Sequence, residues 1–229
     1  MMKKPVDLEK ERRRLPDVLD EGFWSSLGLC APYTLLNTEK LYNLYGATAY
    51  LCKRNIPGSV VECGVYLGGA VMLVAQTLSR FGIREKEIYL YDTFSGFTTP
   101  PTEQDINYKG NKIGHVRLRN FRARTEKNLQ KVDYPEDNYI FVEGDINKTV
   151  LETTLDSIAL LRLDTDTYET TRSELIHLYP KIVPGGILIV DDYGYSKGAR
   201  KAVDEYFDGR EEALFFQRPD WSSRTAVKL

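Results

Sequence analysis

The stretch Ser59–Phe81, SVVECGVYLGGAVMLVAQTLSRF, decides the fold class. Ser59–Cys63 reads as a short apolar strand. Gly69–Phe81 reads as a helix with Val71, Val74, Ala75 and Leu78 apolar. Between them Gly64, Gly68 and Gly69 make a GxxxGG turn, where glycine lets the chain reverse tightly and lets a ligand approach the backbone. The same alternation runs on. Strands are expected at Glu87–Tyr91, Tyr139–Val142, Ser157–Leu163 and Pro184–Val190, with helices at Arg124–Val132, Tyr168–Tyr179 and Ser196–Phe207. Ala213–Gln217 and Thr225–Leu229 read as a closing pair of strands. Upstream, Thr38–Asn55 reads as a helix capped by Thr38 and ended by Pro57-Gly58. Strands alternating with helices imply an α/β fold: a seven-stranded, mostly parallel sheet with helices on both faces and an N-terminal helical cover.

The chain has 229 residues, within the range of one large α/β domain, and is 42% hydrophobic, enough for a sizeable core. Its net charge of -2 gives no general attraction to nucleic acid or to an anionic membrane. The local exception is RLRNFRAR, Arg117–Arg124, which reads as a solvated helix face or an anion-facing lid. Cys30, Cys52 and Cys63 are odd in number and lack CxxC spacing, which points to a reducing, cytoplasmic setting. The N-terminus lacks the apolar core of a secretory signal, and no apolar stretch is long enough to span a membrane. The expected organisation is an N-terminal segment and lid over 1–37, its first residues mobile or docked to a partner, and one domain over 38–229. An insertion at about 98–116, polar and carrying Pro100-Pro101, reads as a functional lid.

In such a sheet, right-handed crossovers bring the C-terminal strand ends to one edge, where ligands bind. Glu62 sits at the tip of the first strand, facing the cationic end of a ligand or pairing with a Lys or Arg. Asp92, 23 residues after Gly69, suits the two hydroxyls of a ribose, or caps the next turn. Asp145 follows Gly144 and either contacts an adenine edge or caps a short helix. The fourth and fifth apolar runs end in Asp164-Thr165-Asp166 and Asp191-Asp192. Carboxylates abutting buried strands are costly unless something cationic or protonatable offsets them, and the simplest offset is a divalent metal. The oxygens suit Mg²⁺, with Mn²⁺ or Ca²⁺ as alternatives, and no His or Cys has the spacing of a Zn²⁺ site. His177 reads as a helix residue that packs on the sheet or faces solvent, and His115, ending the insertion, as one within reach of a closed lid.

VVECGVYLGGA, YDTFSGF, GDI, LLRLDTDTYETT and YPKIVPGGILIVDDYG, in this order and spacing, resemble the macrocin O-methyltransferase (TylF-type) family from about Thr38 to Phe207. The resemblance implies a Rossmann-like class I methyltransferase fold. It also implies a Mg²⁺-dependent enzyme that moves the methyl group of S-adenosyl-L-methionine to a sugar hydroxyl. Asp164, Asp191 and Asp192 then match the metal ligands, and Asp166 matches the general base. Glu62 and Gly64 match the methionine end of the cofactor site, with Gly68 and Gly69 in the same loop. Asp92 matches the ribose acid, Asp145 lies beside the adenine, and Tyr33–Thr38 matches a mobile cover. Ala70 departs from the Ser that members often carry after the paired glycines. The expected partner is a sugar acceptor, and the N-terminal helices and Tyr-rich stretch suggest a homodimer. Two other readings use similar parts: a metal-dependent O-methyltransferase of catechol-like molecules, and a nucleotide-linked oxidoreductase, which the missing GxGxxG disfavours.

Overall fold

The computed structural model describes residues 6–98, 100–114, 119–210, 212 and 214–229. Six strands form one sheet: β1 (Ser59–Cys63), β2 (Ile88–Asp92), β3 (Tyr139–Glu143), β4 (Ile158–Leu163), β5 (Ile182–Val190) and β6 (Arg224–Val227). Their order is β3-β2-β1-β4-β5-β6, parallel except for β6, which runs antiparallel to β5. The order reverses between β1 and β4, and the crevice above that point opens to ligands.

Eight α-helices accompany the strands among the described residues: α1 (Leu8–Arg14), α2 (Glu21–Cys30), α3 (Thr38–Arg54), α4 (Gly69–Arg80), α5 (Phe121–Leu129), α6 (Ile146–Glu152), α7 (Tyr168–His177) and α8 (Lys197–Phe207). None is long and apolar enough to cross a membrane. Both faces of the sheet are buried because each strand alternates within a continuous apolar run. Val60, Leu90, Leu160, Ile187 and Ile189 pack under α2, α3 and α4. Val61, Tyr91, Leu161, Leu188 and Val190 face the other way, with Leu175 of α7 and Val203 of α8.

The sequence reading needs correcting in the last strand and in the cap of α3. The seventh strand expected at Ala213–Gln217 does not form among the described residues, and Gln217 makes only an isolated bridge to Thr225. After Gln217 the chain turns, the Asp220 carboxylate taking the amides of Ser222 and Ser223 (3.0 and 2.7 Å). The cap of α3 is Asn37, whose Oδ1 accepts the Lys40 N–H at 2.8 Å, rather than Thr38. Thr38 lies inside the helix and donates its hydroxyl to Glu11 at 2.6 Å. Arg14 bridges Glu11 and Glu39, fastening α1 to α3. Phe23, Trp24 and Leu27 of α2 are fully buried in the same core as α4.

Candidate active site

The ladder of hydrogen bonds continues one residue past the strands. Gly64 N–H donates to Tyr91 O (2.9 Å), Asp164 N–H to Cys63 O (2.8 Å) and Asp191 N–H to Leu163 O (2.9 Å). The strand-end residues are therefore held in register. Gly64 has φ +88°, and a Cβ there would lie 1.9 Å from the Asp164 carbonyl oxygen, so only glycine lets the β1 and β4 ends meet this closely. Above them lies a cavity of about 730 Å³, lined by Glu62, Gly64, Asp92, Asp145, Asp164, Asp166, Asp191 and Asp192 among others. Its volume is within the ~300–1,000 Å³ range usual for small-molecule sites.

Over β1 and β2 the acids serve the backbone. Asp92 Oδ2 accepts from the Val65 and Tyr66 amides (2.7 and 3.0 Å), and Oδ1 accepts from Phe94 N–H (2.8 Å). It thereby clips the glycine loop to the end of β2, and it lines the cavity. Asp145 caps α6 through the Asn147 amide (3.0 Å), accepts from Thr98 Oγ1 (3.1 Å) and lines the cavity. Gly68 and Gly69 turn away from the cavity wall. A Cβ on Gly69 would sit 2.7 Å from Cys30 O, and one on Gly68 would sit 3.0 Å from Thr125 Cγ2. Their smallness admits the chain after α2 and the flank of α5, which shapes the loop from behind. Thr34–Asn37 also lines the cavity.

Over β4 and β5 the arrangement differs. Strand alternation puts Glu62, Arg162, Asp164 and Asp191 on the face that α3 covers, and Glu62 and Arg162 are direct register partners. Arg162, 2% exposed, pairs with Glu62, with Asp164 Oδ2 (2.9 Å) and with Asp191 Oδ1 (2.6 Å). From α3, Lys40 Nζ donates to Asp191 Oδ2 and to its carbonyl oxygen (3.3 Å). Part of the charge offset that the sequence assigned to a metal is thus supplied by the protein's own Arg162 and Lys40. One signal for Arg162 was present, a lone cation in the otherwise apolar run IALLRL. Nothing local marks Lys40, which lies 151 residues from Asp191.

The offset is incomplete. Five carboxyl groups (Glu62, Asp164, Asp166, Asp191 and Asp192) face two cations. Burial pushes Glu62 up to about 8, because Arg162 is shared among three acids and does not fully neutralise any one of them. Burial, and then the Asp191 charge, raise Asp164 as well, against the lowering pull of Arg162 and Lys40. Asp192 is driven well up by burial and then by Asp166, Asp164 and Asp191. Burial, then Asp164 and Asp191, push Asp166 up to about 7. Asp166 also has φ +66°, a left-handed conformation unusual outside glycine, and in that pose its N–H donates to Asp192 Oδ2 at 3.3 Å. Strain of this kind costs roughly 1–3 kcal/mol and gathers at functional sites. Oxygens of Asp164, Asp191 and Asp192 all lie within 4.8 Å of one another. Hard oxygens with surplus negative charge fit a divalent cation.

Two further buried acids were not singled out by the sequence. Asp105, 1% exposed, accepts from Tyr168 N–H (2.7 Å) at the start of α7 and from the Thr102 amide (2.7 Å), pinning the insertion onto the helix. Glu174 of α7 lies behind the Asp164–Asp166 turn and accepts from Thr165 Oγ1 (2.9 Å), and burial drives its carboxyl well above the ordinary glutamate range. His177 ends α7, and His115 and Arg117 lie outside the described residues. Within the basic run, Arg122 lies over Phe141 (3.3 Å to the ring centre) and pairs with Glu126 (2.9 Å), so it is a packed surface cation.

Comparison with known proteins decides what this edge belongs to. The family model for macrocin O-methyltransferase (TylF) matches residues 20–222. The chain belongs to the macrocin O-methyltransferase family. This family member is 31% identical over 194 residues to demethyldecarbamoylnovobiocin O-methyltransferase of Streptomyces niveus, covering 81% of this chain and 73% of that one. It is 30% identical over 182 residues to mycinamicin III 3''-O-methyltransferase of Micromonospora griseorubida, covering 77% and 70%. The solved structure of the O-methyltransferase NovP superposes with a TM-score of 0.74 at 27% identity, covering 86% of this chain and 82% of that one. The fold is accordingly the Rossmann-like methyltransferase fold, with six strands among the described residues where seven were expected, and the protein is an O-methyltransferase rather than a nucleotide-linked oxidoreductase.

Proposed function

We propose that this O-methyltransferase moves the methyl group of S-adenosyl-L-methionine to a sugar hydroxyl of a glycan, nucleotide sugar or glycosylated natural product, with Mg²⁺ held by Asp164, Asp191 and Asp192. The observation that carries the reading is the surplus of carboxylates left after Arg162 and Lys40 are paired, in a cavity whose other half is built around the glycine loop. The relatives' names, mycinamicin III 3''-O-methyltransferase and a 4'-O-methyltransferase of a dimethoxy-rhamnosyl-tetracenomycin, support a glycosylated product as the acceptor class.

The cofactor would lie against Gly64 and Asp92, with Asp145 near its far end. Asp92 retains lone pairs for ribose hydroxyls, and Glu62 lines the wall between the two halves. Mg²⁺ held at the three aspartates would lower the pKa of an acceptor hydroxyl and fix its direction. Asp166 is placed beside this trio and accepts the hydroxyl proton. Its left-handed backbone aims it at Asp192, so proton acceptor and ligands share one corner of the cavity. Arg162 holds Glu62, Asp164 and Asp191 in fixed rotamers, which is the orientational part of the work.

The test is methyl transfer to glycoside and catechol acceptors, with Mg²⁺ and with EDTA. Asp164→Ala is expected to abolish metal-dependent transfer while S-adenosylhomocysteine still binds in calorimetry. Full transfer by the wild type in EDTA would remove the metal, and transfer to catechols alone would remove the sugar.

A further inference from the structure

Three aromatic rings meet at the rim of the cavity, each from a different segment. Tyr108 comes from the insertion, Tyr195 from the turn after Asp192, and Trp221 from the loop before β6. Tyr108 and Trp221 meet edge-to-face at 4.8 Å between ring centres, and Tyr195 lies 6.3 and 6.4 Å from them. Tyr195 and Trp221 line the same cavity as the aspartates. Trp221 is 47% exposed and Tyr108 50% exposed. A tryptophan left half in water forgoes much of the stabilisation it would gain in a core, and grouped exposed rings mark recognition surfaces.

The cluster is held in place by backbone contacts. Lys197 N–H donates to Ile106 O (2.9 Å), and an isolated bridge joins Asn107 to Ser196, which sets Tyr108 beside Tyr195. Gly194 N–H donates to Ser222 O (2.6 Å), and a Cβ at Gly194 would lie 2.3 Å from Trp221 O. Asp220 accepts from the Ser222 and Ser223 amides and from Asn37 Nδ2 (2.9 Å), so the Trp221 loop is tied to the cap of α3. Tyr195 N–H in turn donates to Asp192 O (3.0 Å), linking the rings to the acidic corner within one turn of chain.

We propose that Tyr108, Tyr195 and Trp221 form a subsite that selects the acceptor by stacking a neutral apolar ring carried next to the sugar. The acids beneath would repel an anionic group placed there, whereas the face of an uncharged ring meets the aromatic faces and edges favourably. Ring stacking at the rim would leave the sugar pointing inward, toward Asp166 and Asp192. The subsite rests on the sugar reading above, and the experiment separates the two.

The probes are phenyl and methyl glycosides of glucose, mannose and rhamnose, added to the full chain with Mg²⁺ and S-adenosylhomocysteine for binding, or S-adenosyl-L-methionine for turnover. The chain has two tryptophans, and Trp24 is fully buried, so a change in emission that Trp221→Phe removes reports on the rim. A phenyl glycoside is expected to change wild-type emission saturably. Trp221→Ala and Tyr108→Ala should each raise its KM roughly three- to tenfold, with kcat, the methyl-glycoside KM and S-adenosylhomocysteine affinity unchanged, and Trp221→Phe should restore part of the loss. Equal phenyl-glycoside KM in wild type and Trp221→Ala overturns the subsite and leaves the sugar reading intact. A saturable emission change without transfer to any glycoside keeps the subsite and removes the sugar reading. Neither signal overturns both.

Discussion

At the ends of β2 and β3, Asp92 and Asp145 give their oxygens to amide N–H groups, and the loops close around them. At the ends of β4 and β5, Asp164, Asp166, Asp191 and Asp192 crowd one another, and among the described residues two cations pair with the group, Arg162 and Lys40. The same residue type at equivalent places in one sheet therefore does two jobs. An acid whose lone pairs are taken by local amides is explained by folding alone. An acid buried beside like charges, as Asp164, Asp166 and Asp192 are, is not, and the proposed metal site rests on that imbalance.

The comparison breaks most readily at Arg162. Arg162→Met should destabilise the protein by about 3–5 kcal/mol in urea denaturation, since three carboxylates lose their shared counter-charge. A loss below about 1 kcal/mol would mean that the acids on this side are neutralised some other way.

Asp192→Asn separates stability from activity. The metal-free variant should be as stable as the wild type or more so, because a like charge has been removed. Methyl transfer should nevertheless fall by roughly 100-fold or more if Asp192 holds the metal. Denaturation and initial rates on the same preparation check both halves.

Asp92→Ala is the opposite control. Three amides lose a charged acceptor, so stability should drop by about 2 kcal/mol and S-adenosylhomocysteine binding should weaken with it, measured by thermal shift and calorimetry. Unchanged stability would move Asp92 into the same class as Asp192.

The smallest effect concerns the cover. The Arg14 guanidinium, by hydrogen bonding, holds Glu11 and Glu39 below the ordinary glutamate value of 4.5. Because the folded values are depressed, their contribution is present above pH 4.5 and is lost as pH falls through the lower folded values. The pairs are partly solvent-screened, so the contribution is at most about 1 kcal/mol. Hydrogen exchange of the α1 amides should quicken below that pH in the wild type, and Arg14→Ala should flatten the dependence.

Much of this architecture is legible in one dimension because it is local. Apolar runs of strand length, glycine turns and helical spacing gave the alternation, and the acids that end β4 and β5 follow their strands directly. Helix ends were less legible. α5 begins at Phe121, ahead of the expected Arg124, because Arg122 and Phe121 pack on Phe141 and Tyr66 and so carry the helix forward. Asp105 gave no signal, since its role is to cap a helix that begins 63 residues later.

The sequence by itself determined that apolar strands would end in acids at one edge of a parallel sheet, because burial period and strand length are properties of neighbouring residues. Only the tertiary structure decided which acids are neutralised. Arg162 meets Glu62 through strand register across 100 residues, and Lys40 meets Asp191 through helix packing across 151. Electrostatic cost depends on distance in space and on burial, and neither is written in the order of the residues.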